Sequence, residues 1–155
     1  MVFVVISKGS NLPDQDHVMR YVPWARLRKD EDDRVIGFLW QAFELREGEV
    51  SLSVSWLEYF SGDRNQRITE SVKAFRKTRD VGAKSAYAVG NVRRIKEVCA
   101  VKGARVRVVY DPLKDNPAHS EIRRLPLDDL GLLDALATQA FVDLVRNAEV
   151  PASAT

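Results

Sequence analysis

The stretch Glu49-Val50-Ser51-Leu52-Ser53-Val54-Ser55-Trp56-Leu57-Glu58-Tyr59-Phe60 constrains the fold of this chain more than any other. Serines at 51, 53 and 55 alternate with Leu52, Val54 and Trp56. A period of two sends successive side chains to opposite faces of a β-strand. The Leu/Val/Trp face has to be buried, whereas a serine face tolerates either solvent or a polar pocket. The rest of the chain is therefore expected to cover one face of this strand.

Several stretches fit that task. Val2-Phe3-Val4-Val5-Ile6 is rich in β-branched residues without alternation, the pattern of a buried strand, and Lys8-Gly9-Ser10 ends it. A second strand is expected from His17 until Pro23 stops it. Residues 25–34 are almost all charged and read as a solvated loop or one helical turn. Residues 35–45 are apolar again, and Arg46-Glu47-Gly48-Glu49 has the length of a hairpin connection to the serine strand. Ser61 or Asp63 is placed to cap a helix over 64–79, in which Ile68, Val72 and Phe75 share one side.

The second half reads as a strand over 85–90, then a helix over 92–102 capped by Asn91, then a strand over 104–110, with a single helix over 83–102 that holds Gly90 in its interior as the alternative to the first two. This strand–helix–strand unit at 85–110 would carry parallel strands. After a turn-rich loop, Asp128 precedes a final helix over 129–146, with Leu130, Leu133, Leu136, Ala137, Ala140, Phe141, Leu144 and Val145 as its stripe. The expected class is α+β, a single-layer mixed β-sheet packed by about three helices. Residues 1–146 would form one domain and 147–155 a flexible tail.

Composition narrows the function classes. A net charge of +2 demands no polyanionic partner, so any phosphate-binding surface has to come from local clustering. The one cysteine, Cys99, allows no internal disulfide and gives no reason to expect an oxidising compartment. No apolar run approaches the ~20 residues that span a bilayer. A cytoplasmic location away from membranes is the expectation. No cofactor fingerprint and no metal-ligand spacing is present, so neither a cofactor nor a metal is expected.

The chemistry-bearing candidates are few. His17 and His119 are the only histidines, and each is followed by arginine, Arg20 after the first and Arg123 with Arg124 after the second. Each lies where a loop meets a regular element. One neutral imidazole as base, one imidazolium as acid, and guanidinium groups of Arg20 and Arg123 on a phosphate would make a metal-independent phosphodiester site. The ordinary alternative is two histidines that never meet. A second constellation, Arg20 with the serine face and Glu58, loosely follows the residue order of ADP-ribosyl-transferring folds. Glu58 and Glu121 with a histidine would make an incomplete metal set.

Basic residues offer a further surface. Arg93, Arg94, Lys96, Arg105 and Arg107 would form a positive face if the 92–102 helix and the following strand adjoin, with Tyr87 and Tyr110 for base stacking. Trp24, after Pro23 and before the charged loop, suits an interface.

The stretches His17-Val18-Met19-Arg20-Tyr21-Val22, Ala42-Phe43-Glu44-Leu45-Arg46, Leu52-Ser53-Val54-Ser55-Trp56-Leu57-Glu58 and Asn116-Pro117-Ala118-His119-Ser120 resemble a set of short bacterial proteins of unassigned function. That resemblance implies a bacterial protein acting beside a partner, and it brings no activity, cofactor or fold. The leading expectation is thus a binding or accessory protein with a protein partner, in a defence or toxin–antitoxin type of system. The enzyme on nucleotide or RNA phosphates and the nucleic-acid-binding module are the alternatives.

Overall fold

The computed structural model describes residues 6–151. Its strands are β1 (His17–Val22), β2 (Leu27–Lys29), β3 (Val35–Phe38), β4 (Ser51–Trp56), β5 (Ala86–Asn91), β6 (Arg107–Tyr110), β7 (His119–Arg123) and β8 (Asp143–Arg146). Its α-helices are α1 (Arg64–Thr78), α2 (Val92–Val101) and α3 (Leu130–Ala135). Six strands form one sheet in the order β6-β7-β4-β1-β5-β8, and β2 with β3 forms a separate ribbon. The class is α+β, as the patterning predicts.

The serine strand β4 is interior, between β1 and β7. Every pairing in the six-stranded sheet is antiparallel, where a mixed sheet was expected. The strand–helix–strand unit exists as β5–α2–β6. Its strands point the same way but do not touch, because β1, β4 and β7 stand between them. The expected hairpin of 35–45 with β4 does not form. β3 pairs with β2, and Trp40–Phe43 is a 3-10 turn that buries Ala42 and Phe43. Residues 2–5 of the strand expected over 2–6 lie outside the described residues, and Ile6 is not in a strand.

Cross-strand pairs sort the side chains into two faces. One face carries Val18, Val22, Leu52, Val54, Ala86, Ala88, Val108 and Ile122, all buried against α2, α3 and the Trp40–Phe43 turn in the larger core. The other face is divided. Over β1, β5 and β8 it is apolar, with Met19, Tyr87, Val89 and Val145 packed under Ile68, Val72 and Phe75 of α1. Over β4, β7 and β6 it bears Ser51, Ser53, Ser55, His119, Glu121, Arg123 and Arg107 beside the buried Val109, and no residue of these strands joins the apolar cluster under α1.

The helices start where the sequence provides caps. Asp63 and Gln66 form a reciprocal capping box on α1, so of the two candidates Asp63 is the cap. Asn91 accepts from the Arg94 N–H, and its own amide donates to the carbonyls of Asp14 and Asp16. One residue therefore starts α2 and pins the loop that enters β1.

The final helix is shorter than its stripe predicts. Asp129, not Asp128, caps α3, which runs into a π-helical turn (Leu136–Ala140) and stops. Leu144 and Val145 belong to β8 instead. The close approach of this turn depends on Gly90, where a Cβ would stand 3.0 Å from the Phe141 ring and 3.2 Å from the Ala140 carbonyl. Residues 147–150, expected to begin a tail, dock on α1. Arg76 donates to the carbonyls of Asn147, Val150 and Pro151, and Tyr87 Oη donates to Asn147 Oδ1. Among the described residues no helix is long and apolar enough to cross a membrane.

Candidate functional site

The polar half-face is built by strand register. Met19, Ser55 and His119 are opposite one another across β1, β4 and β7. One step along, Ser53 is opposite Glu121 and then Val109. A further step sets Ser51 opposite Arg123 and then Arg107. Because directly opposed residues share a face, β4 lays its serines between the two histidine-bearing strands. His17 belongs to the same face, two residues before Met19 on β1.

His119 is 8% exposed and fully engaged. Its Nδ1 lies 2.8 Å from the Asp111 carbonyl and 3.3 Å from Asp111 Oδ2. A carbonyl only accepts, so Nδ1 carries the proton and Nε2 of the neutral ring holds a lone pair. That Nε2 stands 3.1 Å from Oγ of Ser53, whose side chain is exposed. Asp111 reaches this position because its N–H donates to the His119 carbonyl, extending the β6–β7 pairing by one residue. The result is a carboxylate, an imidazole and a serine hydroxyl in line. Side chains so arranged suit a nucleophile, its base and the group that orients the base.

His17 is held in a similar way. Glu58 accepts from the His17 backbone N–H at 2.7 Å and from Nδ1 at 2.7 Å, which leaves Nε2 pointing away from its carboxylate partner. Glu58 comes from the 3-10 turn Leu57–Tyr59 that follows β4. Beside it, Trp56 Nε1 donates to Asp16, whose carboxyl is raised above its ordinary value by burial, an effect the Trp56 bond partly offsets.

The other expected site residues separate. Arg20 points to the opposite face, where Nε donates to the Ala42 carbonyl and an Nη to the Ser53 carbonyl. Burial lowers its pKa to about 10, still protonated at neutral pH. It fastens the Trp40–Phe43 turn to β4 and is not a phosphate clamp. The Arg20–serine–Glu58 constellation is therefore split by the sheet. Arg123 is on the site face, with Nε donating to Glu121 at 3.0 Å. Arg107 is its cross-strand neighbour, bonded to Asn11 and the Gly9 carbonyl.

The basic face expected around 93–107 is likewise divided. Arg93 and Lys96 both pair with Asp14, and Arg94 donates to the Gln139 carbonyl. These lie on α2, across the sheet from Arg107, while Arg105 is an exposed residue preceding β6. Tyr87 is fully buried, and the Tyr110 ring packs edge-on with Trp56 at 5.3 Å while its hydroxyl donates to the Pro117 carbonyl. Trp24 lies partly buried under Lys29, whose Nζ is 4.2 Å from the ring centre.

No family model, curated protein or solved structure matches this chain. The geometry alone carries the reading.

A donor set for a cation exists that sequence spacing did not reveal. Asp111, His119 and Glu121 each bring a ligand atom within 4.8 Å of the others. Imidazole and carboxylate are donors that divalent cations accept. As the side chains stand, both His119 ring nitrogens are bonded inside the protein and Glu121 is held by Arg123. A cation would have to displace one of those bonds.

Proposed function

We propose that the polar half-face is the active site of a metal-independent enzyme that acts on phosphate esters. Ser53 is the nucleophile, His119 its general base, and Asp111 the positioning residue. The observation that carries this reading is the 3.1 Å approach of Ser53 Oγ to a His119 ring whose other nitrogen is fixed by Asp111. Arg123 and Arg107, side by side on the same face, supply guanidinium groups for a phosphate. That cationic pair favours a phosphoryl over a neutral acyl substrate.

The step balances without a cofactor. Ser53 Oγ attacks phosphorus while the bond to the leaving oxygen breaks. The serine proton passes to His119 Nε2 and on to the leaving oxygen. Water then attacks the phosphoserine and gives its proton to His119, which returns it to Ser53 Oγ. His17, oriented by Glu58, lies on the same face two strands away from His119 and takes no part in this step.

Hydrolysis of bis(p-nitrophenyl) phosphate and of a short RNA tests the assignment. Ser53→Ala and His119→Ala should each lose at least a hundredfold in rate, the lower end of what general acid–base catalysis contributes. Melting temperature should stay within a few degrees, and activity should survive a chelator. Turnover of neither substrate by the wild-type chain, or equal turnover by Ser53→Ala, would refute it. The expected protein partner is supported by a different surface, at the far edge of the sheet.

A further inference from the structure

The edge strand β8 has the features of a strand-acceptor site. Among the described residues it pairs with β5 alone. Asn147 N–H donates to the Ser85 carbonyl, which continues the Ala86–Arg146 register by one residue. In an antiparallel ladder such bonds fall on alternate residues, so Asp143 and Val145 face β5. The N–H and C=O of Leu144 and the N–H of Arg146 therefore point outward, and among the described residues no backbone bond outside the β5 pairing uses them. An open row of this kind is a template for another strand.

The side chains along that edge restrict what it can take. On the face shared with Leu144 and Arg146, a groove runs between β8 and the β2–β3 ribbon, lined by Ile36, Phe38, Phe141 and Val142. Ile36 is 61% and Val142 66% exposed, so the groove is rimmed by uncovered aliphatic surface. At the other end of the same row Arg146 makes no ion pair among the described residues, and its buried Nε has no hydrogen-bond partner.

We propose that β8 binds an extended segment of a partner protein by antiparallel strand addition. Directly opposed residues share a face, so the segment carries an acidic residue opposite Arg146 and aliphatic residues opposite Leu144 and Val142. Read from its N-terminus it has the pattern acidic–x–aliphatic–x–aliphatic. Main-chain bonds to Leu144 and Arg146 hold the strand, and the groove with Arg146 selects the sequence. The proposal is independent of the chemistry at Ser53.

The probe is a fluorescein-labelled peptide, Glu-Thr-Val-Thr-Val, followed by anisotropy against the full chain. Saturable binding is expected. Leu144→Pro removes an outward N–H without breaking the β5 ladder and should weaken binding at least tenfold. Arg146→Glu should do the same, and a peptide with lysine in place of glutamate should recover the loss. Should Leu144→Pro fail to fold, the Arg146→Glu charge exchange decides alone. Absence of saturable binding, equal affinity of the folded variants, or no recovery in the charge exchange would overturn the proposal. So would a peptide-free dimer in light scattering that Arg146→Glu dissolves, since it would assign the edge to a second copy of this chain.

Discussion

His119 Nε2 stands 3.1 Å from Ser53 Oγ across the β4–β7 pair, two residues removed from direct opposition. The contact is diagonal, since His119 is opposite Ser55 and Ser53 is opposite Glu121. The same ring keeps its Nδ1 on the Asp111 carbonyl at 2.8 Å. The lone pair is thereby committed to one hydroxyl of the three on β4.

Asp111 acts through His119, so its removal should change rate more than binding. Its backbone carbonyl fixes the ring tautomer at 2.8 Å, and that contact survives side-chain replacement. What Asp111→Asn removes is the carboxylate 3.3 Å from Nδ1, which stabilises the imidazolium formed when Ser53 gives up its proton. We expect kcat on a phosphodiester to fall roughly tenfold or more, less than the loss from removing His119 itself, because the tautomer is retained. KM and the melting temperature should be unchanged. A merely structural residue would lower the melting temperature or raise KM instead.

Gly90 is a close packing point between the sheet and the end of the last helix. A methyl group there meets the Phe141 ring at 3.0 Å and a backbone carbonyl at 3.2 Å, and the carbonyl has little freedom to yield. Gly90→Ala should therefore destabilise the chain by about 1–3 kcal/mol, the usual cost of overpacking a filled core. Urea unfolding measures it. A neutral or stabilising result would mean the π-helical turn repacks freely.

The role of Gly90 also marks what the sequence could and could not reveal. Clean alternation identified β4, and side-chain caps identified the start of α2, because both are local rules with one physical solution. The apolar run 35–45 had two solutions, since a continuous hydrophobic stretch fits a strand or a buried turn equally. Phe43 and Ala42 chose the turn by entering the core beside Phe141. The stripe of 129–146 overran because Leu144 and Val145 fall at helical spacing from Phe141 while a contact with β5 ends the helix. Asp111 falls in the turn-rich loop after the 104–110 stretch, and no spacing links 53, 111 and 119. Only the pairing of three strands brings them together.

Cys99 gives a pH-dependent test of the larger core. It is fully buried, and burial pushes its thiol up to about 11 from an ordinary 9.0. Between those values the folded chain keeps a proton that the unfolded chain releases. Stability contributed by the neutral thiol is therefore complete below about 9 and falls as pH rises toward about 11. Cys99→Ala should lose less stability than the wild type over that window, measured by urea unfolding at each pH. In the native state at pH 8 the thiol should resist iodoacetamide and react only on unfolding. Rapid native alkylation would contradict its placement.

The most direct test of the active-site assignment is to trap the nucleophile. The native chain is treated with a fluorophosphonate, a phosphorylating probe that needs an activated serine, and the adduct is located by peptide mass spectrometry. The account predicts a single phosphonylated serine, Ser53, with labelling lost in His119→Ala and Ser51 and Ser55 unmodified. Labelling elsewhere, no labelling, or labelling of Ser53 that persists without His119 would contradict it.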